Sequence, residues 1–139
     1  MLEDDIVRLV EIYLQQEFPV TYREIPLLGR YVDLVGYDPI TKRLAMVEAK
    51  LTKWRQAVRQ ARACRLFTDE VFIAMPQDYV HRVGLDILGE SGLGLISVGE
   101  QISVVLPPCG KSIRSSHYAG TACSLLDALQ AQDVESAPS

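Results

Sequence analysis

The stretch Arg43–Ala61, RLAMVEAKLTKWRQAVRQA, runs from an apolar segment carrying Glu48 and Lys50 straight into one rich in arginine and glutamine. Residues 43 to 50 read as a strand. Its side chains alternate, so Leu44, Met46, Glu48 and Lys50 share one face and Ala45, Val47 and Ala49 the other. Both faces are apolar, which puts the strand in the centre of a sheet. From Lys53 to Phe67 the period becomes helical, with Trp54, Ala57, Val58, Ala61 and Cys64 as the inward stripe. Arg55, Arg59 and Arg62 line one flank of this helix; Lys53, Gln56 and Gln60 lie on the other. A buried strand ending in Glu-x-Lys and followed by a basic helix indicates an α/β fold with its chemistry at the strand's end.

Before this stretch, residues 2 to about 17 form an amphipathic helix with Leu2, Ile6, Leu9, Val10, Tyr13 and Leu14 on its apolar face. Glu3 projects with Val7, Val10 and Leu14. It has two readings: an inward functional carboxylate, or a first-turn residue favoured by the helix dipole. Pro19 ends the helix, Val20–Leu27 and Arg30–Tyr37 read as strands, and Asp38-Pro39 is a turn. After the basic helix come a short strand at 71–75, a helix at 78–90, and a hairpin of 92–98 with 102–106 across Gly99 and Glu100. The predicted order is αβββαβ, a mixed central sheet flanked by helices, then a β-hairpin. The core is expected to end at Pro107-Pro108. Residues 107–139 are expected to be an extension with a short helix at 121–132 and a disordered end, DVESAPS.

Length, 139 residues, suits one domain of 1–106 plus that extension. No apolar run is long enough to cross a bilayer and the start, MLEDDIVRLV, is acidic and amphipathic, so a cytoplasmic protein without membrane contact is expected. Three cysteines with no close CxxC spacing fit a reducing compartment. Net charge is −4, yet eight of the fourteen basic residues and one of the eighteen acidic ones fall between Lys42 and Arg65. Six basic and seventeen acidic residues remain elsewhere. Only one face could therefore meet a polyanion.

Asp33, in the apolar run YVDLVGY, and Glu48 are carboxylates among apolar neighbours, and burying them unpaired is costly. An ion pair with Lys50 would compensate. So would a divalent cation held by both carboxylates and a backbone carbonyl, with Lys50 beside the water it activates.

These residues resemble the PD-(D/E)XK nuclease superfamily, which includes restriction endonucleases, archaeal Holliday junction resolvases and RecB-type exonuclease domains. Val32-Asp33 is similar to the first half of its motif, with Val32 in place of proline, and Glu48-Ala49-Lys50 to the second. The likeness spans about residues 1–106. Glu3 falls where resolvase-like members carry a glutamate, and Gln60 resembles the glutamine of the RecB-type QxxxY helix, with Cys64 in place of tyrosine. The resemblance implies Mg²⁺ or Mn²⁺ at Asp33, Glu48 and the Ala49 carbonyl, with Glu3 assisting. It also implies that Lys50 handles the attacking water and Gln60 orients phosphate or water. DNA is the implied partner, with Lys53, Arg55, Arg59 and Arg62 on its backbone. The bland reading of those cations is a solvated helix face.

A core this small leaves little room for a separate recognition domain, so specificity is expected from a homodimer or a partner protein. Two other readings stand beside the nuclease: a catalytically inactive domain of this fold that binds nucleic acid or protein, and an ordinary α/β domain with an internal Asp33–Glu48–Lys50 ion-pair cluster. Gly110-Lys111-Ser112 lacks the glycine a phosphate loop needs at position 105, and Cys109, His117 and Cys123 match no zinc spacing.

Overall fold

Apolar runs at residues 32–37, 44–49, 71–75 and 93–98 are too long to leave either face of a strand in water, and they become the inner strands of one sheet. The computed structural model describes residues 1–27 and 29–136. Its order is α1 (Glu3–Leu14), β1 (Val20–Leu27), β2 (Arg30–Tyr37), β3 (Leu44–Ala49), α2 (Trp54–Cys64), β4 (Glu70–Pro76), a 3-10 turn (Gln77–Arg82), α3 (Leu85–Ser91), β5 (Gly94–Val98), β6 (Ile102–Leu106) and α4 (Ser116–Ser136). The six strands lie side by side in chain order. β1–β2, β2–β3 and β5–β6 are antiparallel; β3–β4 and β4–β5 are parallel. The expected α/β class, mixed flanked sheet and C-terminal hairpin are all present.

Parallel pairing of β3 with β4 requires a crossover, and α2 supplies it. Pro26, which has no N–H to donate, sits in the edge strand β1. Ile6, Val10 and Leu14 of α1 pack with Leu34, Ala45, Val47, Ala49, Ala74 and Ile96 on one side of the sheet. On the other side, Trp54, Ala57, Val58 and Ala61 of α2 pack with Val35, Leu44, Met46, Ile73 and Leu95. The alternation expected for β3 is therefore real: Ala45, Val47 and Ala49 face α1, and Leu44 and Met46 face α2.

Two expectations are corrected. The single helix at 78–90 is instead a 3-10 turn and a short α-helix, parted at Gly84, which is extended (φ −75°, ψ 96°). A Cβ there would sit 3.0 Å from the Trp54 ring, so the chain passes too close to α2 for a larger residue. The core also does not end at Pro108. α4 spans 21 residues, and its Ala119, Ala122 and Leu126 are buried, Ala122 and Leu126 in the α2 side of the core. Helix starts earlier than predicted because Gly120 faces solvent, where its cost of about 1 kcal/mol is tolerated. Backbone of residues 133–136 is helical rather than disordered; residues 137–139 lie outside the described range.

α4 is clipped to the sheet by Asp127, which accepts the buried Tyr37 hydroxyl at 2.8 Å and pairs with Lys42 at 2.9 Å. The connection before it is held by buried Arg65, whose Nη2 donates to the Lys111 carbonyl at 2.8 Å. No helix among the described residues is long and apolar enough to cross a membrane.

Candidate functional site

The β2–β3 register pairs Leu34 with Val47, and one further step sets Asp33 opposite Glu48 near the end of β3. Glu48 is only 2% exposed, whereas Asp33 is half-buried. Asp33 Oδ2 accepts the Ala49 backbone N–H at 2.8 Å, so its carboxylate is tied to the strand that carries Glu48. Burial, and then repulsion from Asp33, pushes the Glu48 carboxyl up to about 7; the Arg30 guanidinium opposes this. Two like-charged groups thus share one strand end, one of them with almost no water. The carboxyl ends of strands in an open α/β sheet are also where such folds place their ligands.

Arg30, which the sequence reading passed over, supplies the neighbouring positive charge. Its Nη1 donates to Glu48 Oε1 at 2.9 Å. Nη2 donates to the Gln60 carbonyl and lies 3.4 Å from Cys64 Sγ. Arg30 is the one basic residue in β2, and a buried glutamate on the neighbouring strand needs a counter-charge; that combination was the available signal. Burial, and then the Glu48 charge, pushes the Cys64 thiol up to about 12, leaving it neutral and unreactive.

Gln60 arrives at this cluster through α2, but in an unforeseen way. Its backbone carbonyl holds Arg30, while its side-chain Oε1 is buried with no hydrogen-bond partner. Such an orphaned acceptor is costly, and it would be satisfied by a donor such as a bound water.

Lys50 does not sit against Glu48 as strand alternation predicted. β3 ends at Ala49, and the Lys50 ammonium lies 3.8 Å from Glu3 Oε1. Glu3 is in the first turn of α1, half exposed, so it both suits the helix dipole and points toward the strand end. Among the described residues no three His, Cys, Asp or Glu side chains are grouped for a metal ion. The carboxylate site is a pair, Asp33 and Glu48, with Glu3 set apart beside Lys50. Glu3 and Lys50 line a cleft of about 220 Å³ with Leu51, Thr52, Lys53 and Gln56. A wider cleft of about 470 Å³ shares Thr52, Lys53 and Gln56 with it and adds Trp54, Arg55 and Arg59. Asp33 and Glu48 line neither cleft.

The basic segment divides once its partners are known. Lys42 pairs with Asp127, Arg43 with Glu70 and Glu17, and Arg65 is buried. Lys53, Arg55, Arg59 and Arg62 are exposed and make no ion pair with the described residues. Arg55 also covers the Trp54 ring at 4.5 Å, and Arg62 donates to Ser91 Oγ at 3.0 Å. Three arginines on one flank of α2, with Lys53 at its start, all without neutralising carboxylates among the described residues, form a field that an anionic polymer would fill.

No family model matches the chain, and no curated protein matches it. Among solved structures it is similar to a protein of unknown function from Silicibacter pomeroyi. That protein is 19% identical, with a TM-score of 0.65 over 99% of this chain and 97% of the other. At that identity the likeness concerns the fold alone: a mixed α/β domain shared over essentially the full length of both chains.

Proposed function

We propose that this chain is a metal-dependent nuclease of the restriction-endonuclease-like, PD-(D/E)XK type, hydrolysing phosphodiester bonds of DNA. One observation carries the reading: a buried glutamate and a half-buried aspartate face each other at the end of a central strand, a like-charge pair that a divalent cation would stabilise. The donor set fits Mg²⁺ or Mn²⁺, because hard carboxylate and carbonyl oxygens from Asp33, Glu48 and Ala49 are what these ions take. Such an ion, when bound, lowers the pKa of its water and offsets charge on the phosphate.

The chain's own residues have separable tasks in this reading. Lys50 handles the attacking water; its ammonium, paired with Glu3 beside a cleft that Asp33 and Glu48 do not line, would have to turn back toward Glu48 to do so. Gln60 offers its unpartnered Oε1 to a water or a substrate group. Lys53, Arg55, Arg59 and Arg62 hold the sugar–phosphate backbone, which confers affinity and salt dependence without sequence preference.

The test incubates the protein with linear, circular, single-stranded and branched DNA, with Mn²⁺ or with chelator, beside Asp33→Ala and Lys50→Ala. Cation-dependent cleavage that both substitutions abolish is expected. Cleavage surviving in either variant would reject the site.

A second reading is favoured by a specific contact. The Arg30–Glu48 ion pair already neutralises the buried carboxylate, as it would in a domain that binds nucleic acid or a partner protein without cutting. DNA binding with no cleavage under any cation would select it.

A further inference from the structure

Arg30 and a divalent cation would compete for the same carboxylate. We infer that Arg30 is a built-in competitor of the metal: its guanidinium occupies Glu48 in the resting protein and must leave that carboxylate for Mg²⁺ or Mn²⁺ to bind. This inference rests on the metal-site reading above.

Three observations carry it. Arg30 Nη1 is 2.9 Å from Glu48 Oε1, and Glu48 has no other ion-pair partner among the described residues. A planar guanidinium on that oxygen fills the space a metal ion would need on it, and two cations on one carboxylate repel. Second, the same guanidinium is anchored by Gln60 O and approaches Cys64 Sγ, so it is seated in a defined place rather than sampling solvent. Third, it has a way out. Its side chain is 28% exposed, so the guanidinium borders solvent rather than lying enclosed in the core. A change of rotamer alone, with no change in the pairing of β2 to β1 and β3, is the movement the inference requires of it.

The consequence is a threshold. Metal affinity is set by the two carboxylates and reduced by the free energy of breaking the Arg30 contacts. A polyanion on the neighbouring basic helix would bind the freed guanidinium, so metal and substrate would each favour loading of the other through one side chain.

Calorimetric titration with MnCl₂ at pH 8, without DNA, tests this on wild type, Arg30→Gln, Arg30→Lys and Asp33→Asn. Arg30→Gln is expected to bind Mn²⁺ at least about tenfold more tightly than wild type, the scale of one charge-assisted hydrogen bond. Arg30→Lys, which keeps a cation but cannot reach Glu48 and Gln60 together, should fall between them. Asp33→Asn should bind weakly. Circular dichroism melts establish that each variant is folded, and Arg30→Lys carries the comparison if the glutamine variant is not. Equal or weaker Mn²⁺ affinity in both Arg30 variants would overturn the competitor role and leave the metal site standing. Absence of Mn²⁺ binding in every protein would overturn both.

Discussion

Asp33 Oδ2 accepts the Ala49 amide at 2.8 Å, so one oxygen of the β2 carboxylate is spent on holding the end of β3 in place. Its remaining acceptor capacity faces Glu48. In the proposed nuclease Asp33 would have a structural and a chemical task at once, and substitutions can separate them. Asp33→Asn keeps an acceptor for Ala49 and is expected to melt close to wild type while losing Mn²⁺ binding and cleavage. Asp33→Ala leaves the amide without its partner and should cost about 1 to 3 kcal/mol in denaturant unfolding as well.

Glu48 makes stability depend on pH in a stated direction. Its folded pKa of about 7 lies above the ordinary 4.5, so the folded protein holds this proton more tightly than the unfolded chain does. The stability it contributes is fully present below pH 4.5 and is lost as pH rises through 7. The loss is about 3 kcal/mol across that window. Glu48→Gln should remove this component. The difference between the urea unfolding curves of wild type and Glu48→Gln at pH 5 and pH 8 measures it, with the variant gaining relative to wild type at the higher pH.

Lys50, half-buried, and Glu3, half exposed, form a 3.8 Å pair, and at that distance with one solvated partner it is worth about 1 kcal/mol. Lys50→Ala is accordingly expected to shift the melting temperature by no more than a few degrees yet abolish cleavage. A large loss of stability with cleavage retained would show the lysine to be structural.

The exposed cations of α2 should act uniformly on DNA. Replacing Arg55 and Arg59 with alanine is predicted to weaken binding about equally for unrelated sequences and to lower the slope of log K against log salt by about 2, roughly one per cation. Fluorescence anisotropy between 50 and 200 mM salt reads both quantities. An unchanged slope would mean that this helix face is simply solvated.

α4 belongs to the core, so truncating it from within should be felt throughout. Leu126→Ala is expected to destabilise by about 2 to 5 kcal/mol, the range for a buried leucine, and Asp127→Ala should destabilise as well by leaving the buried Tyr37 hydroxyl unpaired. Chemical denaturation of the two variants checks this. Loss of less than about 0.5 kcal/mol in both would mean that the helix is a passive appendage.

Much of the fold was legible because hydrophobic period is local. The two-residue alternation of LAMVEA and the helical stripe from Trp54 to Cys64 state which face of each element must leave water, and both predicted faces are the buried ones. Asp33 and Glu48 stood out for the same reason, as charges inside apolar runs. Period is silent where a residue's direction depends on a partner far along the chain. Lys50 turned to Glu3, 47 positions earlier, and Arg65 was drawn inside by the Lys111 carbonyl. α4 was under-read because a solvent-facing Gly120 resembles a loop until the sheet behind it is known. The sequence by itself determined the α/β order, the central position of β3 and the carboxylate pair. Only the tertiary structure decided which cation meets Glu48, because a buried charge takes the nearest available counter-charge, and nearness between Arg30 and Glu48 exists only after the strands have paired.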